Sequence, residues 1–145
     1  MLEYLRPDGN MDYDPATEPI YAAIEAGVPA DWAGETGQGA LHRIDRDGSR
    51  WLFFSAVEPK RFFVYAKLEN GRKVYAVGDD PAPQGEIEIV IAGRGLSVPR
   101  WHLVAADQAA MTARCFVEQH GTLYPAMDWL LDGQPYWPEI RRADT

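Results

Sequence analysis

The residues best suited to chemistry in this 145-residue chain are few and scattered. His42, His102 and His120 each offer an imidazole, but none has a second His, Cys or carboxylate at metal-ligand spacing. Cys115 is the single cysteine, so it has no intramolecular disulfide partner, and its place on the apolar side of a helical pattern suits a small buried residue. Ser49, Ser55 and Ser97 all lie outside a Gly-x-Ser-x-Gly elbow. Gly34-x-x-Gly37-x-Gly39 lacks the Lys-Ser/Thr of a phosphate loop and precedes a strand pattern. Gly93-x-Gly95 has no third glycine and runs into Pro99, so no dinucleotide-binding helix starts there. Glu86 and Glu88 share one face of a strand, where paired carboxylates are ordinarily solvated. These patterns predict a non-enzyme with no metal and no cofactor. One enzymatic reading stays open: a carboxylate acting with His42 or His102, if folding joins residues far apart in sequence.

Charge points elsewhere. Residues 1–35 hold eight acids (Glu3, Asp8, Asp12, Asp14, Glu18, Glu25, Asp31 and Glu35) against Arg6 alone, so they carry −7 of the chain's net −8. The remaining 110 residues are nearly neutral. A block of one sign either solvates the chain or steers a partner of the opposite sign. The partner expected here is a basic protein, because direct nucleic-acid binding needs a Lys/Arg surface that the composition lacks. Aromatic residues supply the second resource: five Trp, seven Tyr and five Phe. Tyr13, Tyr21, Trp32, Tyr136 and Trp137 sit in loop-like segments among acids and prolines. There they either plug the edges of a small core or anchor an interface. Charge and loop placement nominate Asp12, Asp14, Glu18, Asp31, Trp32, Glu35, Asp79 and Asp80 as partner-binding residues.

The elements that must position these residues follow from periodicity. The length suits a single domain over 1–145. Residues 1–39 read as an acidic, loop-rich region, with Pro7, Gly9, Pro15 and Pro19 breaking the first 19 residues. A short helix follows on Ile20, Ala23 and Ile24, closed by Gly27 and Pro29. Over 40–92 the pattern is of antiparallel strands: Ala40–Asp45, Arg50–Val57, Arg61–Leu68, Arg72–Val77 and Glu86–Ala92. Asp47-Gly48 and Asn70-Gly71 supply hairpin turns between them. The main helix spans 105–120, with Ala109, Ala113, Phe116, Val117 and His120 on one stripe and Asp107 in its first turn. Ala126–Leu131 returns to the sheet. The predicted fold class is thus α+β: a meandering antiparallel sheet of about five to six strands, one long C-terminal helix packed on one face, and a short N-terminal helix. No apolar run approaches membrane-spanning length, and Met1-Leu2-Glu3-Tyr4 lacks the blocks of a signal peptide. With a lone cysteine, these features lead to the expectation of a cytoplasmic location.

The second half carries a pattern that resembles a known family. A strand and a short Pro-x-aromatic loop lead to a helix opening Val104-Ala105-Ala106-Asp107-Gln108-Ala109. The helix runs through Cys115-Phe116-Val117 and Gly121, and the segment closes on Tyr124-Pro125-Ala126-Met127-Asp128-Trp129. From Glu86 onward this resembles the first-numbered immunity-protein family of bacterial polymorphic toxin systems. The resemblance implies an α+β fold and function by occlusion: binding a cognate toxin domain, frequently a nucleic-acid deaminase or nuclease, and blocking its active site. A small-molecule-binding α+β domain, whose aromatic-rich sheet encloses an apolar ligand, is the alternative from a different class.

Overall fold

Strict alternation along the central strands gives each of them two working faces, and the architecture follows from that. The computed structural model describes residues 1–78, 85–91, 94–131 and 141–142. Its elements run β1 (Leu2–Leu5), β2 (Met11–Tyr13), α1 (Glu18–Ala26), a 3₁₀ turn at Pro29–Trp32, β3 (Gly39–Asp45), β4 (Gly48–Glu58), β5 (Arg61–Lys67) and β6 (Lys73–Val77). Then come β7 (Glu86–Ile91), β8 (Arg94–Pro99), a 3₁₀ turn at Arg100–His102, β9 (Val104–Ala105), α2 (Ala106–Glu118), β10 (Asp128–Leu131) and β11 (Arg141–Arg142). Eight strands form one antiparallel sheet in the order β10-β6-β5-β4-β3-β1-β2, with β9 paired to the start of β5. A second sheet has the order β11-β8-β7.

Even-numbered positions of β4, β5 and β6 (Leu52, Phe54, Ala56, Phe62, Val64, Ala66, Val74, Ala76) face the two helices. α2 presents Ala106, Ala109, Ala110, Ala113 and Phe116 to them, and α1 presents Ile20, Tyr21 and Ile24. Small alanines let α2 sit close on the sheet, where long side chains would hold it off. The odd positions Phe53, Phe63, Tyr65 and Tyr75 face the other way and pack against Ile87, Ile89, Leu96 and Val98 of the second sheet. The molecule is therefore three-layered: helices, large sheet, small sheet.

The α+β class, the antiparallel order of β3 to β6 and the two helices agree with expectation; Glu86–Ala92, expected to continue that sheet, instead supplies β7 of the second sheet, and three further details differ. The large sheet has eight strands rather than five or six, and α2 is 13 residues rather than a long helix. The first 19 residues hold two of the extra strands, β1 and β2. Pro7 and Gly9 mark the tight turn between those strands, where Gly9 takes φ 92° and its amide donates to Arg6 O. β8 is the other surprise, because Gly95 and Pro99 disguise it. Pro99 is tolerated at the strand's last residue, where no ladder amide is required. The Asn70-Gly71 turn joins β5 and β6 as expected, with Gly71 at φ 82° and the Arg72 amide donating to Asn70 Oδ1.

Candidate functional site

Folding carries the acidic N-terminal residues to one end of the large sheet and then sorts them. β1 pairs with β3 and places β2 at the sheet edge, with Tyr13 largely exposed on it. The segment after the 3₁₀ turn is fastened to the β1–β2 turn: the Thr36 amide donates to Pro7 O at 3.0 Å, and Gly34 lies so close that a Cβ there would stand 2.2 Å from Pro7 O. The fastening sets Glu35 beside Gly9, whose own Cβ would lie 3.2 Å from Glu35 Oε2. Ser55 Oγ, donating to Gly37 O at 2.6 Å, ties the same segment to β4.

Several acids are already paired. Glu3 accepts from His42 Nδ1 at 2.9 Å, and Arg6 lies 3.5 Å from Asp8 and 3.8 Å from Asp12. An Asn10 amide bond chiefly, with Arg6 nearby, holds the Asp8 carboxyl below the usual range. Glu18 pairs with Arg114 of α2, 3.3 Å away, and Arg114 also meets Glu118 and covers the Tyr21 ring. Among the described residues Asp14, Asp31 and Glu35 form no ion pair and are exposed. Asp79 and Asp80 lie outside the described residues, as do Tyr136 and Trp137. Trp32 was expected at an interface and is instead a core residue: it is 2 % exposed and meets Phe54 and Phe62 edge-on at 5.4 and 5.5 Å. Tyr21, also 2 % exposed, belongs to the same core cluster, with Arg114 of α2 over its ring.

Four grooves lie among the described residues. The first, about 380 Å³, runs between the 3₁₀ segment (Pro29, Trp32, Ala33, Gly34, Glu35, Gly37), the end of β4 (Ser55, Ala56, Val57) and β7 (Glu88, Ile89, Val90). A second of about 240 Å³ is polar and lined by Asp45, Asp47, Arg50, Glu69, His120 and Thr122. Its arginine is committed: Arg50 grips Glu69 through two nitrogens and donates to Gly121 O at 3.0 Å, while the neighbouring Arg43 donates to Val117 O and meets His120 Nδ1 at 2.8 Å. These bonds cap the negative end of α2 with guanidinium groups from β3 and β4. His120 thus serves as an acceptor for Arg43, which has only donors to offer. The third groove lies at Lys60, Arg61 and Asp107, and the fourth at Tyr4, Asp12, Pro19 and Ile20. Burial, with Asp12 close by, pushes the Tyr4 hydroxyl up to about 12.

Folding does join a histidine to a distant carboxylate, His42 to Glu3. However, His42 is stacked on Trp51 at 3.8 Å, its Nε2 is buried without a partner among the described residues, and neither residue lines any of these grooves. His102 is fully buried, with Nδ1 3.0 Å from Ala76 O. Among the described residues no three His, Cys, Asp or Glu side chains cluster as metal ligands, and no helix is long and apolar enough to cross a membrane. Burial and the nearby Glu118 raise the Cys115 thiol, which keeps it protonated and a poor nucleophile. The aromatic sheet face that an apolar ligand would need is packed against β7 and β8.

The first groove is therefore the arrangement with the most binding potential: an apolar floor walled by the carboxylates of Glu35 and Glu88, with Asp31 in the adjoining 3₁₀ turn. Glu35 was legible as a candidate from charge alone. Glu88, on the opposite wall, was not, because alternation shows only that it points outward. No family model, no curated protein and no solved structure matches this chain.

Proposed function

We propose that the protein is an immunity protein, which binds a basic toxin domain stoichiometrically and occludes its active site. The observation that carries the reading is that Glu35, which lines the first groove, and Asp31, in the 3₁₀ turn that forms one of its walls, are left unneutralised, in a segment holding nearly all the net charge. Such a field speeds encounter with a basic surface, and its carboxylates stand in for the phosphates that a nucleic-acid-directed toxin meets. The motif resemblance from Glu86 onward supports the same reading. Asp12 and Glu18 contribute less to it than their position in the sequence suggests, since Arg6 and Arg114 neutralise them locally.

The test is affinity capture of the tagged full chain from its own cells in low and moderate salt, with bound proteins identified by mass spectrometry. Recovery of one basic toxin fragment near 1:1, weakened by salt, is the expected result. A bare monomer from cells shown to express a toxin gene adjacent to this one overturns the reading.

A further inference from the structure

Among the described residues β7 pairs with β8 and with nothing on its other side. The Arg100 amide donates to Gly85 O at 3.0 Å, which makes Glu86–Pro99 a pair of the wide, non-hydrogen-bonded kind, as suits a proline. The hydrogen-bonded positions then fall at Ile87, Ile89 and Ile91. It follows that the amides and carbonyls of Glu88 and Val90 point away from β8, along the edge that walls the first groove. Among the described residues no lysine or proline stands on this edge and no strand covers it; its protection is the charge of Glu88, which guards against a like-charged strand, and Val90 is 65 % exposed. The Trp32 indole forms part of the inner wall, and its buried Nε1 has no hydrogen-bond partner among the described residues.

We propose that this edge accepts an extended, basic segment of the partner protein as an added strand, lying in the groove between β7 and Glu35. The inference rests on the reading of the protein as a binder of a basic toxin. Four outward backbone groups supply affinity without regard to sequence, and alternate side chains of the guest drop toward Ala56 and Val57. Charge selects the guest: Glu88 and Glu35 flank the groove, and a Lys or Arg lays its aliphatic stem on Val57 and Val90 with its head between the carboxylates. A second copy of this chain is the wrong guest, because each copy carries −8 and pairing two β7 edges brings Glu88 of one near Glu88 of the other.

The probe is a short alternating Lys-Val peptide, with a Glu-Val peptide as control, titrated into the full chain by fluorescence anisotropy and two-dimensional amide NMR. The Lys-Val peptide should bind more tightly at low salt, with the largest shifts at the Glu88 and Val90 amides. Val90→Pro removes one outward amide without breaking the ladder to β8 and should weaken binding about tenfold or more. Glu88→Lys, which leaves the backbone alone, should reverse the preference toward Glu-Val. Unchanged affinity in both variants, shifts confined to β2, or concentration-dependent dimers abolished by Val90→Pro would each overturn the proposal. The two readings fail separately. If a captured toxin binds wild type and both variants alike, the β7 edge is excluded and the immunity reading stands. If the peptide docks on β7 but no toxin is captured, the strand-accepting edge stands and the immunity reading falls.

Discussion

The two faces of the large sheet are built from the same strands and are stabilised differently. Toward the helices, Phe54, Phe62 and Val64 are buried in one cluster with the alanines that line α2. On the opposite face, rings stack from strand to strand: His42 on Trp51, Phe53 on Tyr65 at 4.5 Å, and Tyr65 on Tyr75 at 5.4 Å. That row begins half-buried at His42 and Trp51 and ends under the small sheet, with Lys73 Nζ 5.9 Å above the Tyr65 ring. The first face depends on volume, the second on ring geometry and a few polar tethers. One consequence is that, among the described residues, most of the aromatic side chains are structural.

The largest effect should come from the helix-facing layer. Phe62→Ala, at a position with no exposure, should lower unfolding free energy by about 3–5 kcal/mol in urea denaturation, since the neighbouring strand and helix cannot close the cavity. A loss under ~1 kcal/mol would break the claim that this face depends on volume.

On the aromatic face the ring itself should survive a subtler change. Tyr65→Phe keeps the stack but removes the hydroxyl that donates to buried Gln38 Oε1, which should cost about 1–2 kcal/mol. The same hydroxyl has its pKa pushed up to about 12, mainly by burial. Because the folded value lies above the ordinary value of 10.0, its contribution is complete below pH 10 and is lost as pH rises toward 12. Tyr4 shares that window, so Tyr65→Phe should reduce, not abolish, the alkaline loss measured by urea midpoints at pH 8 and pH 11.

The bridge between the two hairpin ends and α2 should show in acid. Arg50 holds the Glu69 carboxyl down to about 2, against an ordinary 4.5. That contribution is present above pH 4.5 and disappears as pH falls toward 2. Arg50→Met should therefore be less stable than wild type near neutrality, with the two curves converging in acid. The pair is exposed, so the difference should also shrink in salt. Curves that stay parallel down to pH 2 would show that the lost bond to Gly121 O, not the ion pair, is what matters.

The smallest effect belongs to the ion pair joining the helices. Glu18→Gln should change stability by no more than ~0.5 kcal/mol, because Glu18 and Arg114 are solvent-exposed and α1 is held by Ile20, Tyr21 and Ile24. A larger loss in thermal unfolding would move weight from the apolar layer to charge.

Much of the fold was legible because its signals are local. Asn70-Gly71 specifies a turn from two residues, Gly27 closes α1 in the left-handed conformation, and alternation in Arg61–Lys67 requires two buried faces. β1, β2 and β8 were not legible: β1 and β2, of four and three residues, are too short to display periodicity, and in β8 Gly95 and Pro99 mask it. Only their pairing partners make them strands. The site divided the same way. The sign and location of the charge block were written in residues 1–35, as was the outward side of Glu88. Which acids stay unpaired was decided in three dimensions, by Arg114 arriving beside Glu18 from 96 residues away and by Thr36 and Gly34 fastening Glu35 to the β1–β2 turn. The fate of Trp32 and the open edge of β7 were decided there too. Burial and edge position depend on what the rest of the chain places alongside, and no residue states its own neighbours.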